Sequence, residues 1–197
     1  MMDAEDGITA VRIARCVITQ EVTKKQLCYA MRLSYTEPCG VFVTLNTYPS
    51  LDLRGCIGYP GPAYPFPEAL EHAARSACHD PRFPDLKERE LDRIVVEVTI
   101  LTPPEPIIVS DKKDLPGMIK IGKHGLMLEY GGRRGLFLPQ VPVEWNWNVT
   151  EYLENLCGKA GVPKDRWKEK DCHISWFEGR IFKESSPGGD VEEVKEC

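Results

Sequence analysis

Leu53-Arg54-Gly55-Cys56-Ile57-Gly58 sits between a turn-rich stretch, 46–52, and the loop-forming Tyr59-Pro60-Gly61-Pro62. Read as a strand, its side chains alternate across a sheet, so Leu53, Gly55 and Ile57 face one way and Arg54, Cys56 and Gly58 the other. Upstream, Val41, Val43 and Leu45 alternate with Phe42 and Thr44 as a buried strand, and Pro49 and Ser50 mark a turn between the two runs. The expected unit is a β-hairpin whose second strand carries an arginine and a thiol on one face, two strand steps or roughly 6.6 Å apart.

Helices and further strands extend outward from that hairpin. Residues 8–34 carry Val11, Ala14, Ile18 and then Leu27, Ala30 and Met31 at three- and four-residue steps, with an interruption expected at 20–25. After the proline-rich loop, Pro67 suits a first helical position, and Ala69, Leu70, Ala73, Ala74 and Ala77 form one apolar face, with His72, Arg75, Ser76 and His79 opposite. Pro81 stops that helix, and Asp80-Pro-Arg-Phe-Pro84 reads as a rigid connector in which Arg82 pairs with Asp80. Residues 94–101 alternate as a strand, 119–121 and 126–130 are β-like, and Gly131-Gly132 turns the chain into 133–138. That turn sets Tyr130 opposite Arg133 and Glu129 opposite Arg134, which gives Arg134 a cross-strand partner. Asn148 and Glu151 match a capping box ahead of a helix that buries Leu153, Leu156 and Cys157 and stops at Gly161 and Pro163. Residues 174–182 read as one closing strand, and the acidic, glycine-bearing 185–197 as a flexible tail. Hairpins with separate helices and no repeated βαβ unit indicate α+β, with largely antiparallel sheets.

The chemistry-bearing candidates cluster at the opening hexapeptide. Cys56 is the candidate nucleophile, with Arg54 favouring its thiolate and His79 or His124 as the candidate bases. Arg54 with Gly55 and Gly58 is equally a ligand site: a guanidinium fork suits a carboxylate or phosphate, and glycines admit a close approach. The eight cysteines lie far apart and include no Cys-x-x-Cys pair, so reduced thiols are expected rather than a disulfide framework or a zinc site. Cys172-His173, opening a strand, would face opposite ways, and no metal site is expected. No phosphate loop or dinucleotide fingerprint is present, so no cofactor is named.

The hexapeptide also resembles the signature of the AMMECR domain family. Gly40-Val-Phe-Val-Thr-Leu45, Asp80-Pro-Arg-Phe-Pro84, Gly135-Leu-Phe-Leu-Pro-Gln-Val141 and Lys159-Ala-Gly-Val-Pro163 fit the same family in the same order, from about Val11 to Glu184. The resemblance implies a two-lobed α+β fold over 8–184, with 1–7 and 185–197 as flexible flanks, and no agreed biochemical activity. It further implies Memo-like and radical-SAM proteins as partners.

A chain of 197 residues with 42% hydrophobic and 28% charged residues can bury a substantial core. Its net charge of −5 argues against non-specific nucleic-acid binding, so the cluster of Lys120, Lys123, His124, Arg133 and Arg134 is expected to be a solvated hairpin. The acidic start lacks a signal-peptide pattern, no apolar run reaches ~20 residues, and the cytoplasm is the expected location. The preferred reading is a binding or accessory module with a cleft at the hexapeptide. A cysteine-dependent enzyme and a nucleic-acid-binding regulator are the alternatives.

Overall fold

In a computed structural model the described residues are 3–26, 31–61 and 64–194. In chain order the elements are α1 (Ala4–Thr23), β1 (Val41–Thr47), β2 (Leu53–Tyr59), α2 (Phe66–Ala77), β3 (Ile94–Leu101), β4 (Glu105–Pro106), α3 (Leu115–Met118), β5 (Gly125–Tyr130), β6 (Arg133–Phe137), α4 (Val141–Glu144), α5 (Val149–Lys159), β7 (His173–Phe177), β8 (Gly179–Glu184) and β9 (Val191–Val194). Helices beside antiparallel strand pairs make this an α+β fold. The chain divides into two compact units, one made of 1–101 and 180–197 and the other of 102–179.

The first unit carries a five-stranded sheet in the order β2-β1-β3-β8-β9. Val41, Val43 and Leu45 of β1 and Val96, Val98 and Ile100 of β3 are buried on one face, in one cluster with Ala10, Val11, Ala14, Val17 and Ile18 of α1 and Ala69, Leu70, Ala73 and Ala77 of α2. This is the α2 face expected from the sequence. Full burial of a residue such as Leu70 contributes about 1.5–3 kcal/mol. α1 starts at Ala4, within the expected flexible flank, because the Asp3 carboxylate accepts the Asp6 N–H at 2.8 Å and caps the first turn. It ends at Thr23, where Lys24 takes a left-handed conformation (φ 56°) and closes the turn on the Gln20 carbonyl. Leu27, Cys28 and Ala30 of the expected second helical stretch lie outside the described residues, and 31–40 is not helical.

Two expectations for the C-terminal part change. The single strand over 174–182 is broken at Glu178: its N–H donates to the Thr102 hydroxyl (2.9 Å) and its carbonyl accepts the Thr102 N–H (2.8 Å). β7 therefore stays in the second unit's sheet and β8 joins the first unit's sheet. The expected tail does not stay unpaired either, because β9 pairs antiparallel with β8 from Glu184↔Val191 to Ile181↔Val194. Two valines in a four-residue acidic stretch suffice for a strand when a ready edge supplies the backbone partners.

The second unit has a four-stranded sheet, β4-β7-β5-β6. The register places Glu129 opposite Arg134 and Tyr130 opposite Arg133, as the Gly131-Gly132 turn implied, and both glycines have positive φ. The Asn148–Glu151 capping box forms, and α5 buries Tyr152, Leu153, Leu156 and Cys157 against Leu126, Leu128 and Ile174. Residues 119–121 are loop and turn rather than strand.

Candidate functional site

β2 is an edge strand, and the alternation read from its sequence holds around Cys56. Gly55 faces the helices: a Cβ there would lie 2.5 Å from the Ala77 carbonyl oxygen at the end of α2. Gly58 faces the opposite side, where a Cβ would lie 2.5 Å from the Phe42 ring. The space beside each glycine is filled by the protein's own atoms. Both glycines serve close packing, and neither leaves room for the ligand approach expected of it.

Cys56 sits opposite Thr44 of β1, and the Thr44 hydroxyl contacts its sulfur at 3.2 Å. Thr44 in turn sits opposite Glu97 of β3, and Lys183 of β8 lies 3.7 Å from the Glu97 carboxylate. All four are half-buried, on the sheet face away from the two helices. Burial pushes the Glu97 carboxyl up, against the opposing pull of Lys183. Thr44, Glu97 and Lys183 were not legible as site residues, since each is an ordinary polar position of an alternating strand.

The backbone of Cys56 is clamped from the edge. Its N–H donates to Asp80 Oδ2 at 2.8 Å, and its carbonyl accepts from Arg82 Nη2 at 3.1 Å. Asp80 is 2% exposed and binds Arg82 at 2.7 Å. The pairing expected within Asp80-Pro-Arg-Phe-Pro84 thus forms, and its two side chains stand where another strand would bind, which closes the exposed edge.

Arg54 does not offer a free fork. Its Nε donates to Glu90 Oε1 (2.8 Å) and its Nη2 to the Pro84 carbonyl (2.9 Å), with the guanidinium over the Phe83 ring. Glu90 is held below its ordinary range by Arg54, with burial opposing. Neither candidate base is hydrogen-bonded to the thiol. His79 bridges Glu21 (3.2 Å) and Asp85 (3.0 Å). His124 belongs to the second unit, where it is buried against Trp176 and its Nδ1 accepts the Lys120 N–H. Burial pushes the His124 pKa down. Among the described residues the Thr44 hydroxyl is the hydrogen-bond partner of the Cys56 sulfur.

The His79 bridge makes a testable pH element. Its hydrogen bond to Asp85, then that to Glu21, raise the His79 pKa, while Lys24 and then, against burial, His79 and Arg75 bring Glu21 down to about 2. A histidine raised on folding adds stability that is fully present below its unfolded pKa, about 6.5, and is lost as pH rises through the folded value. A His79→Gln variant should therefore lose part of the wild-type stability difference between pH 6 and pH 8. Identical pH profiles for the two proteins in urea unfolding would show the bridge to be inert.

The basic cluster of the second unit is largely engaged. Arg134 pairs with Glu129 at 2.6 Å, Lys123 with Glu178 at 3.2 Å, and Arg133 donates to the Gly161 carbonyl. Cys172 is buried and His173 exposed, facing opposite ways. No helix among the described residues is long and apolar enough to cross a membrane.

Comparison with known proteins gives a consistent match over nearly the whole chain. Protein MJ0810 of Methanocaldococcus jannaschii is 51% identical over 197 residues, covering 99% of this chain and 98% of its own. A protein of Aquifex aeolicus is 49% identical over 166 residues, 84% of this chain and 85% of its own. The crystal structure of an uncharacterized protein, PH0010, from Pyrococcus horikoshii superposes with a TM-score of 0.79 at 42% identity, covering 99% of both chains. The AMMECR1 family model matches residues 11–182, and with that match and relatives of this identity over most of their lengths the chain belongs to the AMMECR1 family.

Proposed function

We propose that this chain is a binding or accessory module whose contact surface is the row of side chains around Cys56, rather than a cysteine-dependent enzyme. The observation that carries this reading is the state of the thiol: among the described residues it is bonded to a hydroxyl and to no imidazole. A nucleophilic cysteine is activated by a base, a cationic partner or a helix N-terminus. Each local guanidinium holds a carboxylate, Arg54 that of Glu90 and Arg82 that of Asp80. What remains is a rigid strand, clamped at its edge and packed close by two glycines, which suits recognition more than turnover. Memo-like and radical-SAM proteins are the partner classes that family membership suggests, and the cytoplasm is the proposed place of action. The engaged cations of the second unit and the net charge of −5 weigh against nucleic acid as the partner.

Calorimetric titration of wild type, Cys56→Ser and Arg54→Lys against a purified Memo-like protein tests the reading. Cys56→Ser should change affinity by no more than about threefold, because serine keeps the hydrogen bond to Thr44. Arg54→Lys should weaken binding about tenfold by loosening the bidentate hold on Glu90 and the strand it positions. Complete loss in Cys56→Ser beside unchanged binding in Arg54→Lys would make sulfur chemistry the better account.

A further inference from the structure

At the turn between β1 and β2, residues 48–53 are all exposed, and three of them are large and apolar: Tyr48 (44% exposed), Leu51 (49%) and Leu53 (41%). Single exposed apolar side chains are ordinary on a protein surface, but three on one turn form a patch. Leu51 is the least expected of them, because its backbone is held in the left-handed region (φ 60°), where a Cβ is penalised and glycine is not. Its N–H donates to the Thr47 carbonyl at 2.7 Å and the Thr47 N–H donates to the Asp52 carbonyl at 2.8 Å, which fixes the turn. A leucine disfavoured by its backbone and gaining little from burial is a side chain presented to something outside the chain.

Beside this apolar knob lies a depression. The Tyr48 N–H donates to the Arg93 carbonyl at 2.8 Å, and Arg93 ends the short 3-10 helix Glu88–Arg93. Glu88, Arg89, Leu91, Asp92 and Arg93 line a shallow space of about 740 Å³, to which Leu91 brings an apolar side chain. Four charges flank the knob and the depression, Arg89 and Arg93 against Asp52 and Asp92, all exposed and, among the described residues, in no ion pair. The other carboxylates nearby have partners, Glu90 in Arg54 and Glu88 in Lys25 at 3.8 Å. An anionic lipid surface selects apolar groups flanked by cations alone, and Asp52, between Leu51 and Leu53, opposes it.

We infer that this surface pairs with the same surface of a second copy of the chain. A two-fold contact requires a patch that is complementary to itself, so that what one copy presents the other receives and the reverse. Here the knob and the depression adjoin, and the two unpaired cations are matched by two unpaired anions. In the pair, Tyr48 and Leu51 of each copy enter the depression of the other, while Arg89 and Arg93 meet the second copy's Asp52 and Asp92. The apolar centre is small, so the association is a weak and concentration-dependent one. It is separate from the reading of Cys56 and does not depend on it.

Sedimentation equilibrium of the full chain, over a dilution series reaching about 1 mM, tests the inference. The average mass of the wild type should rise with concentration from that of one chain toward that of two. Leu51→Gly should weaken the association at least about tenfold. Its circular-dichroism melt should stay within a few degrees of wild type, because glycine takes the left-handed backbone freely. Charge gives an independent arm. The double variants Arg89→Glu, Arg93→Glu and Asp52→Lys, Asp92→Lys should each remain single chains, since each surface then carries one sign of charge. An equimolar mixture of the two should associate at least as tightly as wild type. A wild type that keeps the mass of one chain throughout, a dimer indifferent to Leu51→Gly, or a mixture that does not associate would overturn the inference. Single-chain wild type that floats with phosphatidylcholine–phosphatidylglycerol vesicles, where Leu51→Gly does not, would also overturn it and give the knob to a lipid surface.

Discussion

Replacing Glu184 by alanine is expected to lower the unfolding free energy by about 3–5 kcal/mol. Glu184 is buried near the end of β8, where it accepts Arg15 Nε at 2.9 Å, a second bond from Arg15 Nη2, and the Val96 N–H at 2.9 Å. Arg15 spends two further donors on the carbonyls of Leu91 (2.9 Å) and Ile94 (2.8 Å). One carboxylate thus ties α1, β3 and β8 together, and its loss leaves a guanidinium without its counter-charge and the Val96 amide without a partner in a largely dry setting. Against the 5–15 kcal/mol typical of a whole domain, that brings the protein close to its folding threshold. Urea unfolding followed by circular dichroism measures the loss, and a cost below about 1 kcal/mol would mean the pair is hydrated. The double variant Arg15→Met, Glu184→Leu removes both charges at similar volume and should recover most of the stability. About 1 kcal/mol should remain lost for the Val96 N–H.

Asp80→Ala is the second large effect, expected at about 2–3 kcal/mol. The Asp80 carboxylate is buried and accepts from the Cys56 N–H, the Arg82 N–H and the Arg82 guanidinium. Arg82 is half-exposed and can rehydrate, which keeps the cost below that of a fully buried ion pair. The distinctive readout is local: amide exchange at Cys56, whose N–H is bonded to Asp80 in the wild type, should accelerate far more than exchange at Val43 or Val98 in the sheet interior. Uniform acceleration at all three positions would reduce the clamp to a general stabiliser. The Arg82 guanidinium, with burial opposing and the Cys56 and Arg82 amides helping, holds the Asp80 carboxyl well below the usual range. Its contribution is present above the unfolded carboxylate pKa of about 3.9 and is lost as pH falls from there toward the folded value.

The hairpin around 53–58, the amphipathic α2, the Gly131-Gly132 turn and the capping box at Asn148 were all legible, because each depends on residues within a few positions of one another. The break at Glu178 was not, since it is imposed by Thr102, which is remote in sequence. β9 escaped notice for a similar reason: its strand character comes from the edge of β8 rather than from its own acidic composition. At the site, Cys56 and Arg54 stood out as residue types, but the sequence could not show that Glu90 occupies the guanidinium. Nor could it show that Thr44 and Glu97 fall in register with the thiol, because cross-strand register joins positions with no local signature.

The interrupted course of the first unit sets an order of events during synthesis. Arg15 leaves the ribosome early and its counter-charge, Glu184, comes 169 residues later, after the whole of 102–179. Until then α1, β1, β2 and β3 lack the strand beside β3 that completes the sheet. The second unit is contiguous and can finish first, although it begins to emerge later. From the completion of β3 until β8 is made the nascent chain therefore carries an open β3 edge and an uncompensated Arg15, and a stop codon just before β8 would yield a folded second unit attached to an unfinished first one.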